Sequence, residues 1–552
     1  MAELRIHLLP QAPWWSKTEL RKVWSQHLPT SFLARAPWKT CIALVNYSPT
    51  TPVTLAATRM QQEAERDSER RRSWENDEGG VVWDSVAIAE AVGGEVIKEG
   101  ASGSICTDTR SLLPDQWFLA LVGPRFDGHE FLQTALARGC AGVVGLTVPQ
   151  DWPRGFVQVK RDTVKALQDL GSSVRSRYQG TVVGITGSAG KTTARAMTAL
   201  ALRTQDGFQV HETKGNFNNH IGVPLTLLRM PCSSTACILE LGMNHAGEIS
   251  ELAEIAKPNV RVILNIGPAH MENFPGGLMA VAAAKGELFA TAQAGDVCVV
   301  NADDPLVMAL PVPSGVRMVK FGTKEGCDVR LVATSVTKGG CAVHVVLEHT
   351  HSQELGMFDN SSVISTVEFE ISSPGRHLAM NACAAAAVAT SLGVPLTSIG
   401  QSLSRYKPVG MRCRLEELGL QTILINDCYN SNPVSAAAAL QLLPSMHTLR
   451  RIAILGDMLE LGAISIDAHK EILQLCCDLE LDLVVVLGPC FSTAAESIAA
   501  AKILTYSNAE SLADHIVELI TPGDAVLVKG SRGMQMEVIV NAIKAQASSW
   551  HS

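Results

Sequence analysis

Val182-Val183-Gly184-Ile185-Thr186-Gly187-Ser188-Ala189-Gly190-Lys191-Thr192-Thr193 joins a short apolar run to a glycine-bearing loop that ends in a lysine and two threonines. The apolar run reads as a buried strand and the residues after Lys191 as a helix, which puts the glycines in a strand-to-helix turn. Binding a polyphosphate takes converging backbone N–H groups, a glycine path that lets the backbone come close, a cation, and a hydroxyl for magnesium. All four are present: Thr186, Gly187, Ser188, Ala189 and Gly190 would wrap the phosphates, with Thr193 in the first helical turn. Lys191 would reach the β and γ phosphates and Thr192 would ligate the metal, so ATP and Mg2+ are the expected cofactors. The spacing departs from a strict G-x-x-x-x-G-K-[ST] loop, because the position of its first glycine holds Ile185.

The same alternation extends outward. Ala236–Leu239 and Val262–Leu264 are further apolar runs between helical segments, which predicts a mainly parallel sheet in a central domain over 179–400. Asp328–Glu370 alternates in strand fashion with a polar break at His349–Ser362, and reads as an antiparallel hairpin region attached to that domain. Upstream, Phe118–Leu121 and Ala141–Gly145 flank a helical Glu130–Arg138, a small α/β domain over 80–178. Downstream, Ile423–Ile425, Ile452–Leu455, Leu483–Leu487 and Ala525–Val528 repeat the pattern in a Rossmann-like domain over 401–552. A hinge is expected near Gln401–Tyr406. The fold class is α/β in three domains, as a chain of 552 residues also suggests at roughly 100–200 residues per domain.

Composition narrows the partners. A net charge of -8 provides no broad positive field for nucleic acid, and no run approaches the roughly 18 apolar residues of a membrane span. The Ala382–Ala389 run reads as a buried helix instead. Among 14 cysteines no CxxC pair or zinc-spaced Cys/His cluster occurs. Residues 1–59 carry seven Lys or Arg (Arg5, Lys17, Arg21, Lys22, Arg35, Lys39, Arg59) against Glu3 and Glu19, and the charge-dense Gln61–Glu78 follows. That bias suits a transit peptide and linker over 1–79, with a plastid or chloroplast stroma as the expected location and the cytoplasm as the alternative.

Beyond the loop, four segments recur in the order seen in the Mur ligases: Gly215-Asn216-Phe217-Asn218-Asn219-His220-Ile221-Gly222, Glu240-Leu241-Gly242-Met243-Asn244, Gly456-Asp457-Met458-Leu459-Glu460-Leu461-Gly462 and Lys529-Gly530-Ser531-Arg532. From about Thr107 to the C-terminus the chain resembles this family, and within it the branch that adds D-alanyl-D-alanine to UDP-N-acetylmuramoyl-tripeptide. The resemblance implies a ligase of peptidoglycan precursor synthesis. In such a ligase a carboxylate takes the γ phosphate as an acyl phosphate and an amine then displaces phosphate. It further implies a UDP-sugar site in the first domain and a dipeptide site in the third; a monomer is expected.

Carried onto this chain, the resemblance gives Lys191, Glu240, His270 and Lys285 catalytic roles. Thr192, Glu240, His270 and Lys285 become metal ligands, with Lys285 as a carbamylated lysine (N6-carboxylysine). Asn381 would read the adenine edge, Asp427 the ribose, and Arg414 the γ phosphate, with Arg412 competing for that role. Thr107, Asp108, Thr109 and Arg110 would bind the uridine or pyrophosphate, Asn430, Asn432 and the Gly456–Gly462 loop the dipeptide, and Asn218 and Asn219 are further substrate-binding residues. Two readings compete: the preceding ligase, which adds the third amino acid but carries an Asp-Asn-Pro-Arg motif not found here, and a non-catalytic scaffold relative. A scaffold should have lost some of Lys191, Thr192, Glu240, His270 and Lys285, and all five are present.

Overall fold

The computed structural model describes residues 80–204, 208–355, 359–498 and 502–550. The expected transit peptide and linker over 1–79 lie outside the described residues. Three α/β sheets follow one another along the chain. The first has five strands in the order Glu95–Lys98, Gly155–Gln158, Gly142–Gly145, Trp117–Leu119, Ile105–Cys106, antiparallel only at the Glu95–Lys98 edge.

The nine-stranded middle sheet is parallel from Val210–Glu212 through Ala236–Glu240, Thr181–Thr186, Val260–Ile263, Val297–Asn301, Arg317–Gly322 and Val329–Thr337. Two antiparallel strands, Ala342–Leu355 and Asp359–Ile371, complete it. They form the expected antiparallel hairpin, and its backbone ladder runs through much of the polar stretch, to the pair Leu355 and Asp359. A ladder needs only N–H and C=O groups, so polar side chains do not end it. Thr181–Thr186 lies deep within the sheet, buried on both faces, which is why it is so uniformly apolar. Helix Arg376–Ser391 packs its Ala382–Ala389 run into the same apolar cluster as the helix that follows the loop, Lys191–Leu202. Alanine's small side chain lets the two backbones come close.

The third sheet has the order Arg414–Glu417, Ile423–Asp427, Asp524–Lys529, Arg450–Gly456, Leu483–Leu487, Ile503–Tyr506, parallel except at its first pair. Over the expected hinge at Gln401–Tyr406 a helix runs Leu396–Leu403 and Tyr406 is buried in the middle core, and the exposed connection begins at Lys407. Among the described residues no helix is long and apolar enough to cross a membrane.

The first sheet and the middle sheet share one apolar cluster, running from Trp83 and Trp117 through Leu167 and Leu170 to Val223 and Leu252. Buried Arg175, on helix Thr163–Arg177, fastens this junction by donating to Ala256 O (2.7 Å), Lys257 O (2.7 Å) and Tyr178 O (3.1 Å). It thereby satisfies orphan carbonyls at the end of helix Glu248–Ala256 and places a cation at that helix's negative pole. Arg175→Met, which fills the volume but leaves these acceptors unpaired, is expected to cost about 2–4 kcal/mol. Denaturant unfolding measures it, and a loss below about 0.5 kcal/mol would contradict this role.

Candidate active site

The strand Thr181–Thr186 delivers the loop, and the segment after Val260–Ile263 holds it from behind. Ser188 N donates to Asn265 O (3.1 Å), Ala189 N to Asn265 Oδ1 (2.9 Å), and Asn265 Nδ2 returns to Ala189 O (3.0 Å). Ser188 Oγ donates to Gly267 O and accepts from Gly267 N, both at 2.9 Å. Asn265 was missed by sequence reasoning, although its place straight after an apolar strand was the available signal. Gly190 has φ +86°, and a Cβ there would sit 2.6 Å from Asn381 Oδ1. Asn381 is buried against the loop, so the structure brings it to the loop's glycine.

Lys191 Nζ folds back onto Gly187 O at 2.7 Å, occupying the backbone acceptor that a phosphate would displace it from. Thr192 Oγ1 donates to Glu240 Oε2 (2.8 Å), and Asn218 Nδ2 donates to Glu240 Oε1 (2.9 Å). Glu240, at the carboxyl end of Ala236–Glu240, is thus buried with both oxygens oriented. Asn218 works on Glu240 here. Asn219 is exposed, and its Oδ1 accepts from Gly222 N (2.9 Å) at the start of helix Gly222–Leu228.

Lys285, on helix Gly277–Ala290, is 2% exposed and has no hydrogen-bond or ion-pair partner among the described residues. Burial pushes its amine well below the usual lysine range, and repulsion from Lys191 pushes the same way. Burial also lowers Lys191, against an opposing pull from Glu240. His270 sits between them electrostatically: burial lowers it, Glu460 raises it, and both lysines lower it again.

Magnesium takes hard oxygen donors, and the Thr192 hydroxyl with the Glu240 carboxylate fits that requirement. Lys285 does not fit as an amine. Carrying a carboxylate on its nitrogen, it would.

Arg414 and Arg412 differ in their surroundings. Arg414 lies on the edge strand Arg414–Glu417 with its side chain 61% exposed, 3.8 Å from Glu416. Arg412 instead stacks on Tyr429, its guanidinium carbon 3.9 Å from the ring centroid, and its charge bears on Lys191. The turn is made at Cys413, whose φ of +48° is left-handed. Strand alternation cannot reveal such a kink.

Asp427 is placed inside the third domain, where it accepts from Lys529 Nζ (2.6 Å) and Cys413 N (3.0 Å). Lys529 also donates to Asn430 O (2.9 Å), so it is a buried structural partner. Asn432 caps helix Pro433–Leu440 and reaches Ser188 O at 3.3 Å, which brings the third domain onto the loop. Thr107 to Arg110 sit apart, beside the first sheet: Arg110 pairs with Asp108 at 2.7 Å across a turn, and Thr109 is buried.

Comparison with known proteins agrees with this geometry. Residues 185–389 match the Mur ligase middle domain, and residues 413–532 match the Mur ligase glutamate ligase domain. Curated relatives named UDP-N-acetylmuramoyl-tripeptide--D-alanyl-D-alanine ligase include those of Bacillus subtilis, 35% identical, and Escherichia coli, 34% identical. The first alignment covers 79% of this chain and 92% of the relative, the second 80% and 93%. Among solved structures, MurF from Acinetobacter baumannii superposes with a TM-score of 0.75 at 29% identity, covering 85% of this chain and 100% of that one. MurF from Thermotoga maritima, solved in complex with ADP, gives 0.69 at 27%, covering 81% and 98%.

Arg412→Ala is expected to weaken binding of a non-hydrolysable ATP analogue about 10–100-fold, the worth of a charge-assisted contact. Arg414→Ala should stay within about twofold, as an exposed charge does. Calorimetry on both variants checks the assignment, and the reverse order would return it to Arg414.

Proposed function

The chain belongs to the Mur ligase family, and we propose that it joins D-alanyl-D-alanine to UDP-N-acetylmuramoyl-tripeptide at the expense of ATP, as a ligase of peptidoglycan precursor synthesis. The observation that carries this reading is the gathering of Lys191, Thr192, Asn218, Glu240, His270 and Lys285 around one phosphate loop. The relatives named for this reaction supply the substrates.

A carboxylate is a poor electrophile, so the peptide carboxylate first attacks the γ phosphorus, forming an acyl phosphate and releasing ADP. The dipeptide amine then adds to the acyl carbon, loses a proton, and expels phosphate as the peptide bond forms. Phosphoryl transfer of this kind is governed by positioning and charge neutralisation. Lys191 would leave Gly187 O for the phosphates. Arg412 would follow from the third domain, held flat by Tyr429. Thr192 and Glu240 would hold magnesium, with Asn218 fixing the carboxylate's orientation. When bound, the metal supplies positive charge beside the phosphate oxygens.

Lys285 deepens the proposal. A buried amine kept neutral is the form that adds carbon dioxide, its nitrogen bonding the carbon while a proton leaves. The carbamate so formed would turn an unpartnered amine into an oxygen ligand. On the basic leader, Arg5 to Arg59, rests the further proposal of a plastid destination, which cleavage during a plastid import assay tests.

Full-length protein given ATP, magnesium and UDP-N-acetylmuramoyl-tripeptide should release phosphate only when D-alanyl-D-alanine is added. Release with single amino acids would point to the ligase before it in the sequence of additions, and no release would sink the reading. Lys191→Met is expected to lower kcat by about a thousandfold or more while leaving the melting temperature within about 2 °C. A Lys191→Met enzyme of near-normal rate would exclude the loop from phosphoryl transfer.

A further inference from the structure

Two loops from different sheets meet at one short contact. His270 lies after the strand Val260–Ile263 of the middle sheet, and Glu460 follows the strand Arg450–Gly456 of the third. His270 Nδ1 and Glu460 Oε2 lie 2.5 Å apart in a hydrogen bond between residues 190 apart in sequence. Alongside, Glu272 N donates to Glu460 O at 3.3 Å. Both residues have left-handed backbones, φ +57° at His270 and +66° at Glu460, and neither is glycine. Such conformations cost free energy and persist where the surroundings enforce them.

The surroundings of Glu460 do enforce it. Leu459 N donates to Ser531 Oγ (2.8 Å), and Met458 N to His469 Nε2 (2.9 Å). Asp457 accepts from Cys490 N (2.9 Å) and Phe491 N (2.8 Å), while its own N donates to Leu487 O (3.1 Å). On the far side, a Cβ at Gly462 would come 2.9 Å from Glu272 Cα, so the loop sits directly against the His270 segment. Asp457, His469 and Cys490 cluster closely enough to suggest a metal, but both ring nitrogens of His469 are already engaged, with Met458 N and Ser465 O. The cluster is the anchor of an arm, and Glu460 is the arm's tip.

The geometry points to Glu460 as a positioning residue for His270: when the third domain is docked, its carboxylate takes the Nδ1 proton and so leaves the Nε2 lone pair facing the reaction site. This inference rests on the ligase reading for what His270 does, and on the contact alone for how it is held. An imidazole that ligates a metal is ordinarily fixed in this way, by a carboxylate on its other nitrogen. Here the carboxylate comes from another domain. His270 is therefore complete only in the closed arrangement, and the reaction site is not assembled until the arm arrives. The Gly456–Gly462 segment, expected to face the dipeptide, has this second task through Glu460.

The test uses full-length protein labelled with 15N-histidine and three variants, His270→Gln serving only to assign the ring signals. In the ADP complex the wild-type His270 should show a protonated Nδ1 and an unprotonated Nε2. Glu460→Ala should mix the two tautomers, weaken Mn2+ binding to the nucleotide complex, and lower kcat about 10–100-fold with an unchanged KM for the UDP-linked substrate. Glu460→Gln keeps an acceptor oxygen and should recover the nitrogen pattern and most of kcat. The inference falls if Glu460→Ala leaves the ring signals as in wild type, whatever happens to the rate. It falls equally if the Gln variant behaves like the Ala variant in both readouts. Should wild-type protein release no phosphate with the dipeptide, the ligase reading fails separately, and the nitrogen signals still decide the contact.

Discussion

Two amines and one carboxylate share the water-poor space around the phosphate loop, and that imbalance governs the site. Glu240 is fully engaged by Thr192 and Asn218, so it is held in place before any ligand arrives. Lys191 is left to bond a carbonyl of its own loop, and Lys285 bonds nothing among the described residues. Burying an unpaired ammonium is far more costly than releasing its proton, which is why burial drives Lys285 toward the neutral amine. With Lys285 driven that way, Lys191, hydrogen-bonded to a backbone carbonyl, is the cation of this group left to meet a nucleotide's phosphates.

The architecture puts these groups together by one rule applied in two sheets. Parallel strands send their connections out at the carboxyl ends, and ligands bind in the crevice there. Thr186 leads into the phosphate loop, Glu240 ends its strand, and Ile263 leads on to Asn265, Gly267 and His270. In the third sheet, Asp427 leads to Tyr429 and Asn432, and Gly456 to Glu460. The contacts Asn432 to Ser188 and Glu460 to His270 show that the two crevices face each other.

Much of this could be read from the chain because it is local. A strand, a glycine turn and a helix start are encoded within a dozen residues, and a carboxylate that follows an apolar run falls at a strand end. Arg412 could not be separated from Arg414, since the two differ through a left-handed backbone at Cys413, a residue type that gives no warning of it. The pairing of Asp427 with Lys529, 102 positions away, is visible only once the strands Ile423–Asp427 and Asp524–Lys529 are aligned. Asn218 was legible as a site residue but not as the group that orients Glu240. The hairpin over Asp328–Glu370 was legible from its alternation, but how far its ladder runs into the polar stretch was not, because backbone pairing does not depend on side-chain polarity.

The two domain boundaries differ in what they are made of. The first and middle sheets share a continuous apolar cluster and the many-bonded Arg175, so parting them would expose core to water. The third sheet has apolar clusters of its own on its two faces. Its described hydrogen bonds to the loop side of the middle domain, Asn432 to Ser188 and His270 and Glu272 to Glu460, are polar contacts that water can replace at small cost. The same boundary also sets Val434 beside Gly267, Leu442 beside Gly375 and Met446 beside Gly340, so the third domain rests on the middle one through polar and apolar contacts without one shared cluster. A ligase must admit two bulky substrates and a nucleotide, and a boundary without a shared apolar cluster is where that opening would cost least.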